Sequence, residues 1–324
     1  MIKFFDGGMG SMLNLAAGEL PEKLNISDPE RVFAVHDAYA RAGAQFITAN
    51  TFGANSLKYD NVDELVKAGV ALAKKAGKKV ALDLGPTGKL LKPMGDLEFE
   101  KAVELFGEVV RAGKDGSDVA IIETMSDMYE LKAAVLAVKE NSDLPIITSM
   151  IFDESGRLLT GGDVKSAVAM LEGLRVDAIG FNCGLGPKQM IPLVKELREC
   201  TSLPIIVMPN AGLPESVDGK TVYNVSPDEF ANDMKEIAEL GVSILGGCCG
   251  TTPAHIKRMI ELCKDIDDNI PEKKNDTVVC SYSTSVTIGQ KPVVIGERIN
   301  PTGKKLFKEA LRNNNIDYII KEGI

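Results

Sequence analysis

Residues 243–256 read "SILGGCCGTTPAHI". A short β-rich apolar run passes through paired glycines into two adjacent cysteines, and Thr252-Pro253 then opens an amphipathic segment. The run has the composition of a buried parallel strand entering a loop. A threonine N-cap with proline at the first helical position is a helix start. The stretch is therefore one strand-loop-helix unit that carries the thiols of Cys248 and Cys249 in its loop. Neighbouring cysteines rarely bond to each other, because the ring they close is strained, so the pair calls for another explanation.

Seven further runs of the same kind precede it: "IKFFDGG", "AQFITANTFG", "KVALDLGP", "VAIIETM", "LPIITSMIF", "DAIGFNCGLG" and "LPIIVMPNAG". Between them lie stretches with helical periodicity, such as "DPERVFAVHDAYARAG", "NVDELVKAGVALAKKAG" and "SPDEFANDMKEIAELG", several opening on Ser, Asp or Asn and closing on Gly. Eight such units in about 265 residues match the α/β class and specifically the (β/α)8 TIM barrel, of about 250 residues. A doubly wound open sheet is the competitor, but "DGGMGSM" after the first run is not its glycine fingerprint. Residues 1–267 are assigned to the barrel. Residues 268–291 are polar and aperiodic and read as a linker, and 292–324, "VVIGERINPTG" onward, begin a truncated strand-loop-helix unit.

The 324 residues carry a formal net charge of -9, which argues against nucleic acid as a partner, since phosphate binding needs a basic face. No run approaches the roughly 20 apolar residues that span a bilayer, and the N-terminus lacks the layout of a secretory signal. Six cysteines without a compact disulfide framework fit a reducing compartment. The expectation is a cytoplasmic protein without membrane partners.

Barrels of this kind place their active sites at the C-terminal ends of the strands. Cys183, in "GFNCGLG", ends the sixth strand, and Cys248 and Cys249 end the eighth. Three thiols at one rim suit zinc, which three protein ligands at about 2.3 Å hold with a fourth tetrahedral position open. Successive residues of a strand face opposite ways, so the pair shares a metal only where the strand has broken; Gly246, Gly247 and Gly250 permit that break. His36 and His255 fall in helices and read as ordinary core or surface residues, and Cys200, Cys263 and Cys280 as packing thiols. A competing reading makes "GGCCGTTP" a phosphate cradle of backbone N–H groups, although it leaves both cysteines unexplained.

"FDGGMGSML", "ANTFGANSLKY", "GFNCGLGP" and "GGCCGTTPAHI" resemble the homocysteine S-methyltransferase family, which includes the N-terminal homocysteine-binding module of cobalamin-dependent methionine synthase and the betaine-dependent enzymes. The resemblance runs from about residue 3 to residue 266. It implies a zinc-dependent transfer of a methyl group to homocysteine, forming methionine, with Cys183, Cys248 and Cys249 as ligands of a catalytic zinc. It also implies that Asp6 and Glu123, at the ends of the first and fourth strands, receive the substrate ammonium, with Gly7 offering backbone N–H. Asn50, Asn182, Asn210 and Asp83 end strands as well; Asn50 is taken as a substrate contact, the others as equally suited to orienting loops. "VVIGERINPTG" looks like the opening of a pterin-binding barrel, which favours methylcobalamin carried on another domain as methyl donor, with corrinoid-binding and pterin-binding domains as partners. Betaine or S-methylmethionine as donor, or a non-catalytic barrel that docks those domains, are the alternatives.

Overall fold

The computed structural model describes residues 1–15, 18–217, 220–289, 291–297 and 299–323. By its internal contacts the chain divides into two units, Met1–Val286 and Thr287–Ile324.

In the first unit strands and helices alternate: β1 (Lys3–Phe4), α1 (Met9–Leu13), α2 (Leu24–Ser27), α3 (Pro29–Ala42), β2 (Phe46–Thr48), α4 (Val62–Lys75), β3 (Lys79–Leu84), α5 (Phe99–Gly113), β4 (Val119–Met125) and α6 (Met128–Asn141). There follow β5 (Ile146–Met150), α7 (Val164–Gly173), β6 (Ala178–Asn182), α8 (Pro187–Cys200), β7 (Ile205–Met208), a small antiparallel pair β8 (Glu215–Val217) and β9 (Lys220–Val222), α9 (Pro227–Glu239), β10 (Ile244–Leu245) and α10 (Pro253–Cys263). Eight strands form one parallel sheet in the order β1-β10-β7-β6-β5-β4-β3-β2. Its two ends meet where Gln45 N–H donates to Phe4 O at 2.8 Å and Phe5 stacks on Phe46 with ring centroids 4.7 Å apart. The ring is nearly closed, with helices outside: the expected TIM barrel.

Alternation along each strand sorts the side chains. Outward residues such as Leu82, Leu84, Ile122 and Val207 join the apolar layer under the helices. Inward residues Phe46, Ala81, Ile121, Ile147 and Ile206 pack together inside the ring. One step further along the same inward faces the chemistry changes to Thr48, Asp83, Glu123, Ser149 and, beyond Ala178 and Gly180, Asn182. The barrel is thus plugged by apolar side chains below and lined by polar ones at its C-terminal end.

The helix signals hold locally. Thr252 caps α10, with Pro253 first in the helix, and His255 completes a capping box. Ser226 and Glu229 do the same for α9, and Gly43 ends α3 with φ +107°. The final barrel strand is only two residues long, so Cys248 and Cys249 lie in the loop after it, the glycine pair having already released the backbone from the ladder. Within the stretch read as a linker, β11 (Thr277–Cys280) and β12 (Ser285–Ile288) pair, and Tyr282 between them donates a hydrogen bond to Asp127. In the second unit, α11 (Lys305–Arg312) and α12 (Ile316–Gly323) pack through the Phe307 and Tyr318 rings. No helix among the described residues is long and apolar enough to cross a membrane.

His36 on α3 is fully buried, and neither ring nitrogen has a hydrogen-bond partner. Burial lowers its pKa from 6.5 to about 4. A base whose folded pKa is depressed contributes stability that is complete above its unfolded pKa and lost as pH falls toward the folded one. The cost from this residue between pH 7 and pH 4 is about 3 kcal/mol. His36→Leu should therefore gain stability on wild type progressively from pH 6.5 down to 4 in urea unfolding; a difference independent of pH would show that His36 does not carry the effect.

Candidate functional site

A cavity of about 270 Å³ opens among the C-terminal strand ends. Cys183, Cys248 and Cys249 line it, as do Asp6, Asp83 and Glu123. The three sulfurs are within 4.8 Å of one another, the one such group of potential metal ligands among the described residues. Cys183 Sγ and Cys249 Sγ are 3.9 Å apart. Two thiolates bound at about 2.3 Å to a tetrahedral ion lie roughly 3.8 Å apart, so this soft donor set fits zinc.

Local backbone places each sulfur. Cys183 follows β6 at φ +55° and Gly184 continues at φ +68°, a left-handed turn that costs a non-glycine residue about 1 kcal/mol. Its N–H is held by Met208 O at 3.1 Å. Cys248 N–H donates to Pro209 O at 2.8 Å, and Cys249 N–H to Asn210 Oδ1 at 3.1 Å. Asn182 acts on the sulfurs from below. Its amide donates to Thr124 Oγ1 at 2.7 Å and lies 3.8 Å from Cys248 Sγ, while its oxygen accepts from Thr124 N and Ser149 Oγ, both at 2.8 Å. This pairing also pins Thr124, another left-handed residue at φ +64°. Hydrogen bonds from Cys183 and Cys248 pull the Cys249 thiol down to about 3, whereas the bonds of Cys248 with Cys183 and Cys249, together with burial, push Cys248 well above its usual range.

Thr251 joins the cysteine loop to the first loop of the chain. Its hydroxyl donates to Cys248 O at 2.6 Å and accepts from Gly8 N–H at 3.1 Å. Tyr39 OH, from α3, lies 2.9 Å from Thr251 O and 3.2 Å from Gly8 O. The approach is so close that a Cβ on Gly8 would sit 2.7 Å from Cys248 O. The phosphate reading of this loop fails on the same grounds. The N–H groups of Gly247, Cys248, Cys249, Gly250, Thr251 and Thr252 are all spent inside the protein, on Asp6 O, Pro209 O, Asn210 Oδ1, Ser11 Oγ, Cys248 O and His255 Nδ1.

Carboxyls line the same cavity. Asp6 accepts from Thr48 N–H at 2.8 Å and Thr48 Oγ1 at 2.7 Å, yet burial drives its pKa up to about 7. Glu123 is pushed to about 8 by loss of water, then by Asp6 and Cys249. Asp83 is raised well above the carboxylate range by burial and by Glu123, Glu22 and Asp6. Gly7 and Asn50 line the cavity too. The Asn50 amide hydrogens go to Pro21 O and Asn25 Oδ1, both at 2.8 Å, so this side chain fastens the 21–25 segment as cavity wall. Both histidines are elsewhere: His36 is in the core, and His255 is tied to Thr252 Oγ1 at 2.9 Å and Val225 O at 3.0 Å.

The family model for homocysteine S-methyltransferase matches residues 3–263. The chain belongs to that family. Among curated relatives, the methionine synthases of Mycobacterium leprae (strain TN) and Mycobacterium tuberculosis (strain ATCC 25618 / H37Rv) are each 32% identical over 94% of this chain. The chain spans about 28% of the length of either relative. The metallated form of the homocysteine methyltransferase MmuM from Escherichia coli superimposes with a TM-score of 0.67 at 23% identity, covering 80% of this chain and 95% of that one. Its oxidized form gives 0.69 at 24%. These two structures share the fold.

Thr48, Thr124, Thr251 and Tyr39 were not singled out from the sequence. Thr251 does follow a glycine loop, but Gly8, its partner, is 243 residues away, and no spacing rule reaches that far. Thr251→Val should lower stability by about 1–3 kcal/mol, because it strips Gly8 N–H and Cys248 O of a shared hydroxyl. An unchanged urea midpoint would show that the two loops hold without it.

Proposed function

We propose that this chain transfers a methyl group to the sulfur of homocysteine, forming methionine, with zinc held by Cys183, Cys248 and Cys249. What supports the reading is a single arrangement: three thiols and several carboxyls lining one amino-acid-sized cavity, in a barrel of this family. Zinc bound there would keep a coordinated substrate sulfur deprotonated at neutral pH.

The remaining work falls to this chain's own residues. Asp6 and Glu123 receive the substrate ammonium, which offsets the cost of ionising carboxyls that burial has pushed to about 7 and about 8. Gly7 presents its backbone to the carboxylate; no side chain fits there, since a Cβ would press on Tyr39 and Thr251. Asn50 shapes the wall behind. A free thiol of pKa near 8.5 is only a few per cent thiolate at pH 7, so full deprotonation is worth about 1.4–2 kcal/mol. Fixing the sulfur for in-line attack is worth more, up to roughly 7–11 kcal/mol, and that is the task of the ammonium and carboxylate contacts.

Ligand pockets usually measure about 300–1,000 Å³, and this one, at about 270 Å³, admits an amino acid but not a corrin. We assign the methyl donor to methylcobalamin presented by another domain, supported by the 32% identity to much longer methionine synthases. Residues 292–324 are then the start of a pterin-binding domain.

Zinc-loaded protein should bind homocysteine with release of about one proton, followed by calorimetry in buffers of different ionisation enthalpy. Cys248→Ser should lose both metal and binding. Homocysteine binding that is indifferent to zinc would refute the thiolate chemistry, and no binding at all would favour the docking barrel. With zinc in place, methionine should form from methylcobalamin; formation from S-methylmethionine or betaine alone would reassign the donor.

A further inference from the structure

Asp83 is only 4% exposed, and its Oδ1 has no hydrogen-bond partner. An unpaired buried carboxyl is costly, and the inward positions below it on the same sheet are apolar. Alternation along β3 turns Asp83 inward above Ala81, and it lines the cavity. The residue itself is firmly held, its N–H donating to Thr51 Oγ1 at 3.2 Å and its carbonyl accepting from that hydroxyl at 2.9 Å. The charged groups that act on its carboxyl are all acidic: Glu123, Glu22 and Asp6. Glu22 is already engaged by Gly53 N–H at 2.6 Å and Tyr59 OH at 2.5 Å.

Among the described residues no cationic side chain lines the cavity, so a cation for this carboxyl would come from a ligand. An alkylammonium has three N–H donors. Asp6 and Glu123 account for two, and each Asp6 oxygen already accepts one bond from Thr48. We propose that Asp83 accepts the third N–H of the substrate ammonium and so selects α-amino thiols over thiols without the amino group. This rests on the homocysteine reading above.

The test uses the zinc-loaded full chain and two ligands, homocysteine and 4-mercaptobutyrate, which keeps the thiol and carboxylate but has no ammonium. Asp83→Asn should weaken homocysteine binding by roughly tenfold to a hundredfold. It should leave 4-mercaptobutyrate binding unchanged or tighter, retain the zinc, and raise the ligand-free Tm by removing the unpaired carboxyl. Unchanged homocysteine affinity, equal weakening of both ligands, or loss of zinc would each overturn the assignment. Wild type that holds zinc and binds neither ligand would overturn the homocysteine reading itself, and this one with it.

Discussion

Everything at this site depends on the two-residue period of a strand held in a closed ring. Once β2 to β6 are parallel and in register, every second residue faces the barrel axis, and the inward rows must share one narrow volume. Phe46, Ala81, Ile121 and Ile147 fill the lower part and exclude water. Their successors two residues on, Thr48, Asp83, Glu123 and Ser149, then meet in a space with little solvent. The carboxyls cannot ionise freely there, which is why burial dominates the upward shifts of Asp6 and Glu123. Asp83, Glu123 and the apolar plug are consequences of one geometric rule, whereas Asp6, directly after inward-facing Phe5, is brought in by the loop that follows β1.

The same rule explains how much could be read in advance. The eight apolar runs were legible because each strand is buried on both faces and ends in a polar or glycine residue. Helix starts at Thr252, Ser226 and Asp28 were legible because capping is a local interaction. The cysteines could be placed at one rim because strand direction fixes which ends coincide. What could not be read was anything that depends on distance across the rim: the 3.9 Å between Cys183 and Cys249, or the Asn182–Thr124 pair spanning 58 residues. Asn50 was legible as a residue at the cavity, but its amide turned out to be used in fastening the 21–25 segment. Nor did polarity alone reveal β11 and β12 in the stretch read as linker, since partly exposed strands lack a continuous apolar run.

Thiols and carboxyls line one cavity, and no histidine is among its lining residues. His255 secures the start of α10, and His36 sits unpaired among apolar side chains. Asn182 and the backbone turns at Cys183 and Thr124 keep the three sulfurs in place, and among the described residues no cationic side chain lines the cavity.

The ring is sealed between its first and last strands. Lys3 and Phe5 pair with Ser243 and Leu245, Gly247 N–H reaches Asp6 O, and Thr251 reaches Gly8. A ribosome therefore releases Asp6 and Cys183 long before the residues that complete their surroundings. The nascent chain carries an unfinished cup, with a lone Cys183 where the trio will be. The three-thiol cluster comes into being only when the eighth strand takes its place and the ring is sealed.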